Sequence, residues 1–229
     1  GGPDILVGIL HTWNIHPDWA MAMLRLTKTP FGKKTVYTYR WEHDRPYDLA
    51  RNYIAKEVLN TGATWLFSID TDVIPPPDAL ERLLSHNQPI VSALYYRRHP
   101  KISTEAFRYK LGTTQLDPVP RSKLDPGLNE VDAVGMGCCL IHRNVFESLA
   151  DKVRKLQIPS ENSVTELYEF YKFCIHEPPY LSEDLYFCVQ ARSLGWRVLV
   201  DVDIDCGHII SSSMVKDGKV EFTPLGKGA

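Results

Sequence analysis

Two aspartates follow an apolar segment in the first third of the chain. The segment WLFSIDTD, residues 65–72, has the pattern of a buried strand that delivers Asp70 and Asp72 at its carboxyl end. Mg²⁺ and Mn²⁺ take oxygen ligands and leave room for substrate phosphates, so these carboxylates are candidates for such a site. The same spacing recurs at Asp201-Val202-Asp203 and Asp203-Ile204-Asp205. Spacing alone therefore leaves open a polar strand end with an Asx turn.

Two later segments carry side chains of matching chemistry. His208 stands just beyond a glycine after the last regular strand pattern, where its imidazole is either a metal ligand or an ordinary packing histidine. Ser182-Glu183-Asp184 opens a predicted helix. Its acidic residues either stabilise the helix N-terminus or supply a general base that takes the proton of an acceptor hydroxyl.

The elements that must position these residues alternate between strand and helix. Apolar patterns predict strands at 4–10, 35–40, 64–69, 89–96 and 197–204, a strand interrupted by glycines within 130–141, and helices at 48–59, 144–156 and 182–194. The prolines at 75–77 are either loop or the opening of a helix, and Leu80, Leu83 and Leu84 follow with an amphipathic turn pattern. Gly62 is expected to stop the helix predicted at 48–59, and residues 97–129 are expected to run over the surface. This order predicts one α/β domain over residues 1–229, with a mostly parallel sheet and ligands at the carboxyl ends of its strands. Residues 211–229 are expected to be a mobile lid or a disordered tail.

Composition excludes several classes of protein. Hydrophobic residues make up 44% of the 229 residues and charged residues 24%, as in ordinary globular proteins. A net charge of −2 does not favour nucleic-acid binding, and no apolar run approaches the roughly 20 residues of a membrane-spanning helix. Five cysteines without CxxC spacing predict neither a disulfide framework nor a zinc site. We expect a cytoplasmic protein, with peripheral membrane attachment or membership of a larger chain left open.

Taken together, the motifs resemble those of GT-A glycosyltransferases, in particular the broad family-2-like group. Their order is an N-terminal strand and loop, Leu49–Asn52 on a helix, Ser68–Asp72, Gly135–Cys139, Ser182–Asp184 and Cys206–His208, so the resemblance covers about residues 4–210. It implies a GT-A (Rossmann-like) three-layer sandwich that uses a nucleotide-sugar donor, UDP- or GDP-linked. The acceptor is left open as a glycan, lipid, protein or small molecule.

The resemblance also implies roles for particular residues. Asp70 and Asp72 match the DxD motif, which holds Mn²⁺ or Mg²⁺ on the donor diphosphate, and His208 matches a metal or diphosphate contact. Asp184, with Glu183 beside it, matches the catalytic base of an inverting transfer. Gly135, Met136 and Gly137 match a loop that lines the donor and acceptor sugars, although a simple β-bulge is the alternative. The nucleotide-sugar candidates are His11, Thr12, Arg45, Arg51, Asp70 and Thr71. Arg51 is expected either to pair with phosphate, to hold an aspartate, or to lie on a solvated helix face.

Other functions compete with this one. A retaining GT-A glycosyltransferase uses the same DxD and late histidine, and a non-catalytic sugar- or partner-binding module could keep the same fold. A sugar-phosphate nucleotidyltransferase needs a glycine-rich basic loop after the first strand, which Gly8–Trp13 does not provide. A DxD phosphatase would place its aspartates after the first strand instead of the third.

Overall fold

The computed structural model describes residues 4–11, 15–26, 34–40, 46–97, 102–160, 163–174, 180–210, 213–216 and 219–222. Within these ranges the helices are α1 (Pro17–Leu26), α2 (Tyr47–Thr61), α3 (Ala79–Ser85), α4 (Arg143–Ala150) and α5 (Glu183–Ser193). The strands are β1 (Ile5–His11), β2 (Lys34–Arg40), β3 (Trp65–Asp70), β4 (Val73–Ile74), β5 (Ile90–Leu94), β6 (Tyr96–Arg97), β7 (Ser103–Thr104), β8 (Ala106–Tyr109), β9 (Leu116–Pro118), β10 (Leu128–Val131), β11 (Ala133–Val134), β12 (Cys138–His142), β13 (Lys155–Ser160), β14 (Ser163–Tyr168), β15 (Val198–Asp205), β16 (Gly207–Ile210), β17 (Ser213–Lys216) and β18 (Lys219–Phe222).

The central sheet has the strand order β10-β15-β5-β12-β3-β1-β2. β1 pairs in parallel with β2 and β3, and β5 pairs in parallel with β15. β12, however, runs antiparallel between β3 and β5, and β10 runs antiparallel along β15. The α/β class is therefore confirmed, while the mostly parallel sheet is corrected to a mixed one. The physical reason is that the chain reaches β12 through short strands and loops instead of a crossover helix, which a parallel partner would need.

Helices cover both faces of this sheet. Side chains of α2, α4 and α5 pack on one face together with Leu6 and Leu66, and side chains of α1 and α3 pack on the other with Val7 and Phe67. The alternation along β1 and β3 thus sends apolar side chains to two cores, as expected for a strand buried on both sides.

Helix α2 lies close over β1. A side chain at Gly8 would place its Cβ 2.5 Å from Ile54 Cγ2, so the glycine permits this close approach. The helix ends at Gly62, whose φ of 68° is left-handed and whose N–H donates to the carbonyl of Val58. The predicted stop is confirmed, and Arg51 faces the sheet from the first half of this helix.

Three local predictions are corrected. The helix predicted at 144–156 ends at Ala150, because residues 155–160 and 163–168 pair with each other as the β13–β14 hairpin. The segment 97–129 is not purely a surface excursion, since Phe107 on β8 is 2% exposed in the core. Part of the expected tail is a hairpin: β17 and β18 extend the sheet β18-β17-β16-β4. None of the helices in the described ranges is long and apolar enough to cross a membrane.

Candidate functional site

A cavity of about 790 Å³ opens at the carboxyl ends of β1 and β3. This is the edge of the sheet where the sequence predicts a ligand. The predicted site residues that line it are His11, Arg51, Asp70, Thr71, Asp72, Glu183, Asp184 and His208. Thr12 and Arg45 lie outside the described residues.

Arg51 is buried at the base of this cavity and contacts three carboxylates. Its Nη2 lies 3.0 Å from Asp70 Oδ2, and its Nε lies 3.2 Å from Glu183 Oε1 and 2.9 Å from Asp184 Oδ1. Burial lowers the pKa of this guanidinium, but Asp184, Asp70 and Glu183 outweigh burial and raise the pKa well above its usual value. Of the roles that the sequence left open for Arg51, holding an aspartate is the one observed.

Asp184 has one carboxylate oxygen in a hydrogen bond and one that no described residue hydrogen-bonds. Its Oδ2 accepts a hydrogen bond of 2.9 Å from the backbone N–H of Met136. Its Oδ1 lies near Arg51 Nε, yet the Nε proton points at Glu183, and no described residue hydrogen-bonds to this oxygen. Burial raises the pKa of Asp184 well above its usual value, and Arg51 opposes the shift.

Asp70 also has one carboxylate oxygen that is hydrogen-bonded and one that no described residue hydrogen-bonds. Oδ2 is held by Arg51, whereas Oδ1 is buried without a hydrogen bond from the described residues. Burial raises the pKa of Asp70, Arg51 lowers it, and Asp72 raises it again. A buried carboxylate oxygen without a donor is costly unless a ligand or ion completes it.

His208 lies beside Asp72, because β16 pairs with β4 directly after that aspartate. Its Nδ1 lies 2.6 Å from the carbonyl oxygen of Tyr96, which only accepts, so Nδ1 carries the proton. In the neutral imidazole Nε2 is then an acceptor, and it lies 3.3 Å from Asp72 Oδ2. Two acceptors at this distance repel each other unless a proton or a cation lies between them.

Asp70, Asp72 and His208 are the cavity residues that could contribute ligands to a divalent cation. Asp72 and His208 place a carboxylate oxygen and a ring nitrogen 3.3 Å apart, and Asp70 has a buried oxygen that no described residue hydrogen-bonds. Among the described residues there is no group of three or more His, Cys, Asp or Glu side chains close enough to hold a metal by themselves. Mg²⁺ commonly binds through one or two carboxylates and takes its remaining ligands from water and substrate phosphates.

The predicted glycine loop lies behind the cavity wall. Gly135, Met136 and Gly137 are not among the residues that line the cavity; Met136 donates to Asp184, and the N–H of Gly137 donates to the hydroxyl of Tyr95 at 2.9 Å. Through these two hydrogen bonds the glycine loop positions the side chains of Asp184 and Tyr95, which line the cavity. A β-bulge is not what the sequence break produces, because β11 ends at Val134 and β12 begins at Cys138 in a different sheet.

Sequence reasoning missed several lining residues, among them the polar side chains of Tyr95, Arg97 and Glu105. Arg97 Nε donates to Glu105 Oε1 at 3.1 Å, and the Tyr95 ring stands edge-on to His208 with 5.5 Å between ring centroids. Burial raises the pKa of Glu105, and Arg97 opposes that shift. The available signal was that Tyr95 and Arg97 come at the carboxyl end of a predicted strand. Glu105 had no such signal.

Comparison with known proteins identifies the fold. Neither a family model nor a curated protein sequence matches this chain. The crystal structure of A197 from STIV superposes with a TM-score of 0.60 over 95% of this chain and 93% of that chain, at 15% sequence identity. The fold is thus shared with A197.

Two other solved structures superpose less closely. A protein from Bacillus anthracis assigned as a glucose-1-phosphate thymidylyltransferase, in complex with a sucrose, has a TM-score of 0.41 and 10% identity over 66% of this chain and 76% of that chain. A nucleoside-diphosphate-sugar pyrophosphorylase from Vibrio cholerae RC9 has a TM-score of 0.40 and 10% identity over 86% of this chain and 72% of that chain.

Proposed function

We propose that this protein is a metal-dependent glycosyltransferase of the GT-A type, which moves a sugar from a nucleotide-diphosphate sugar to an acceptor hydroxyl. The observation that carries the proposal is the meeting of Asp72, His208 and Asp184 on one cavity, although they come from distant parts of the chain. The cavity volume of about 790 Å³ falls in the usual range for small-molecule sites.

The charge of the cavity supports the metal requirement. Its described lining carries the carboxylates of Asp70, Asp72, Glu105, Glu183 and Asp184 against the guanidinium groups of Arg51 and Arg97. A donor diphosphate would be repelled by this excess of negative charge unless a cation accompanied it. Mn²⁺ or Mg²⁺ held by Asp72 and His208, with Asp70 beside them, would neutralise the charge of the departing nucleoside diphosphate.

Asp184 is our candidate for the general base. A carboxylate becomes a better proton acceptor near neutral pH when its pKa rises, and burial raises the pKa of Asp184. Its orientation is fixed by the N–H of Met136, while Oδ1 has no hydrogen bond from the described residues. In this proposal Oδ1 takes the proton of the acceptor hydroxyl as that oxygen bonds to the anomeric carbon and the nucleoside diphosphate leaves with inversion. A retaining enzyme would give the other anomer, which NMR of the product distinguishes.

The test is donor binding measured by thermal shift and calorimetry. UDP-, GDP- and CDP-sugars are each added with Mn²⁺ and with EDTA to the unaltered protein, to Asp72→Ala and to Asp203→Ala. Asp203 is the matched control because it has the same Asp-x-Asp spacing but is exposed and outside the cavity. At a donor concentration of about 100 times Kd, binding stabilises by about 2.7 kcal/mol, which raises the Tm by roughly 5–10 °C.

We expect one nucleotide to give this shift with Mn²⁺ in the unaltered protein and in Asp203→Ala, but not with EDTA and not in Asp72→Ala. A shift that survives in Asp72→Ala would contradict the assigned metal position. If no nucleotide sugar binds under any condition, the glycosyltransferase proposal fails, and a sugar- or partner-binding module becomes the better hypothesis.

A further inference from the structure

One wall of the cavity is built from two segments of paired backbone. The N–H of Glu105 donates to the carbonyl of Tyr95 at 2.9 Å, and β6 pairs with β7 so that Arg97 faces Ser103. Tyr95, Arg97 and Glu105 all line the cavity. We call these three residues the 95–105 wall. Because backbone hydrogen bonds fix its two segments against each other, the backbone that carries these side chains is in place before any ligand arrives.

The hydroxyl of Tyr95 is a donor without an acceptor among the described residues. Its oxygen accepts from the N–H of Gly137, but no described residue accepts its proton, and the residue is 5% exposed. Burial raises the pKa of Tyr95 well above its usual value, with further contributions from Glu105, Asp184 and Asp70. A Cβ at position 135 would lie 2.1 Å from this hydroxyl, so Gly135 makes room for it.

Arg97 and Glu105 add donors and acceptors of their own. Arg97 uses Nε for Glu105 Oε1 and stacks its guanidinium 5.3 Å from the centroid of Phe107. No described residue hydrogen-bonds to the two terminal nitrogens of Arg97 or to Glu105 Oε2. The pair has no net charge, and its side chains are 36% and 16% exposed.

These properties favour neutral hydroxyl groups as the ligand. A hydroxyl both donates and accepts, so the hydroxyl groups of one ligand can accept from Tyr95 and Arg97 and donate to Glu105 Oε2. An anionic group would instead meet the Glu105 carboxylate, beside a guanidinium that is already neutralised. A site built to hydrogen-bond a hydroxyl also discriminates against ligands that lack one, because its buried polar groups are then left unpaired.

We propose that the 95–105 wall binds the hydroxyl groups of an uncharged sugar ring, next to the diphosphate position at Asp72 and His208. This assignment rests on the proposed function and adds the class of sugar that the donor carries. It predicts that neutral hexoses are preferred to uronic acids and to phosphorylated sugars.

Calorimetry with matched ligands separates the sugar contribution from the nucleotide contribution. With Mn²⁺ present, Kd is measured for UDP, GDP, UDP-glucose, UDP-galactose, GDP-mannose and UDP-glucuronate. The variants are Tyr95→Phe and Glu105→Gln. Their controls are Tyr109→Phe and Glu166→Gln, which make the same chemical changes outside the cavity. Two variants are needed because Tyr95→Phe also removes the acceptor of the Gly137 N–H and so weakens the fold.

We expect both variants to bind the preferred neutral nucleotide sugar about tenfold more weakly or worse, while the affinity for the bare nucleoside diphosphate changes less than about twofold. Glu105→Gln, which leaves Arg97 without a carboxylate partner, should also raise the affinity for UDP-glucuronate relative to UDP-glucose. A purely structural role would not produce that reversal. Equal losses for the nucleotide sugar and the bare nucleotide, or no loss in either variant, would overturn the proposal.

A second arm applies if the unaltered protein binds no nucleotide, which would refute the glycosyltransferase but not yet the wall. Glucose, galactose and mannose are then tested directly by saturation-transfer difference NMR. A signal for a neutral sugar that is lost in Tyr95→Phe and Glu105→Gln, but kept in Tyr109→Phe and Glu166→Gln, supports the wall as a sugar site. No signal for any of the three sugars overturns it.

Discussion

Replacing Arg51 by methionine should cost the protein a large part of its stability. The change removes one positive charge from among three carboxylates that lie within 3.2 Å of it, and it does so in a side chain that is only 5% exposed. Breaking a buried ion pair by removing one partner typically costs about 3–5 kcal/mol, because the remaining charge stays desolvated. Whole domains are stable by only about 5–15 kcal/mol, so the loss should be visible in any unfolding experiment.

The assay is urea unfolding at pH 7, followed by tryptophan fluorescence and circular dichroism. Arg197→Met is the control, because Arg197 also pairs with a carboxylate, Glu130 at 2.8 Å, but its side chain is 55% exposed. Solvent screens such a pair, so the control should lose less than about 1 kcal/mol. Burial is the difference between the two variants, and the comparison measures its effect.

The cost of Arg51→Met should also depend on pH. Burial raises the pKa of Asp184 in the folded protein and Arg51 opposes this shift, so the pKa of Asp184 should rise further in the variant. A carboxyl group with a raised folded pKa stabilises the fold below its unfolded pKa of about 3.9 and loses that contribution as pH rises through the folded value. The difference in stability between the variant and the unaltered protein should therefore be larger at pH 8 than at pH 5. A loss below about 1 kcal/mol at pH 7, or a difference that grows toward pH 5, would refute this account of Arg51.

Two further predictions concern the groups around this cluster. Gly135→Ala should destabilise the folded protein by about 1–3 kcal/mol through overpacking, because the new Cβ would lie 2.1 Å from the Tyr95 hydroxyl. Urea midpoints should show that the double variant with Tyr95→Phe recovers part of this loss. Independent, additive losses in the two variants would argue against the clash. Asp184→Asn should lower glycosyl transfer by about 100-fold or more while leaving Mn²⁺-dependent donor binding within a few-fold, with Asp203→Asn as control; near-normal turnover would rule out Asp184 as the base.

Local sequence patterns predicted the elements that deliver the carboxylates. Strand β3 and helix α2 follow directly from the apolar spacing and from Gly62, because both are fixed by neighbours along the chain. The antiparallel direction of β12 and the β13–β14 hairpin were not predicted. Both depend on pairing with another segment, and no local propensity specifies which segment that will be.

Within the site, too, features set by local sequence were predicted and features set by contacts between distant segments were not. Asp70, Asp72, Asp184 and His208 were predicted as site residues because they belong to short motifs at the ends of predicted elements, and all four line the cavity. Tyr95 was missed because its hydroxyl is positioned by a contact with the N–H of Gly137, 42 residues later in the chain. Such a contact exists only in the folded protein.

The chain contains the same Asp-x-Asp spacing at more than one place, but the aspartates at these places have different partners in the structure. Asp201 is buried and meets His86 Nε2 at 2.8 Å, Arg82 Nη2 at 3.6 Å and the N–H of Asp203 at 2.9 Å. One carboxylate there faces several donors, so its charge is compensated within the protein. Around Arg51 the ratio is reversed, since one guanidinium serves three carboxylates and Asp70 Oδ1 has no hydrogen bond from the described residues. Burying such an excess of negative charge is costly, and the cation that we propose for this cavity would offset that cost. The deficit of positive charge, more than the spacing of the aspartates, is what marks the cavity as the candidate functional site.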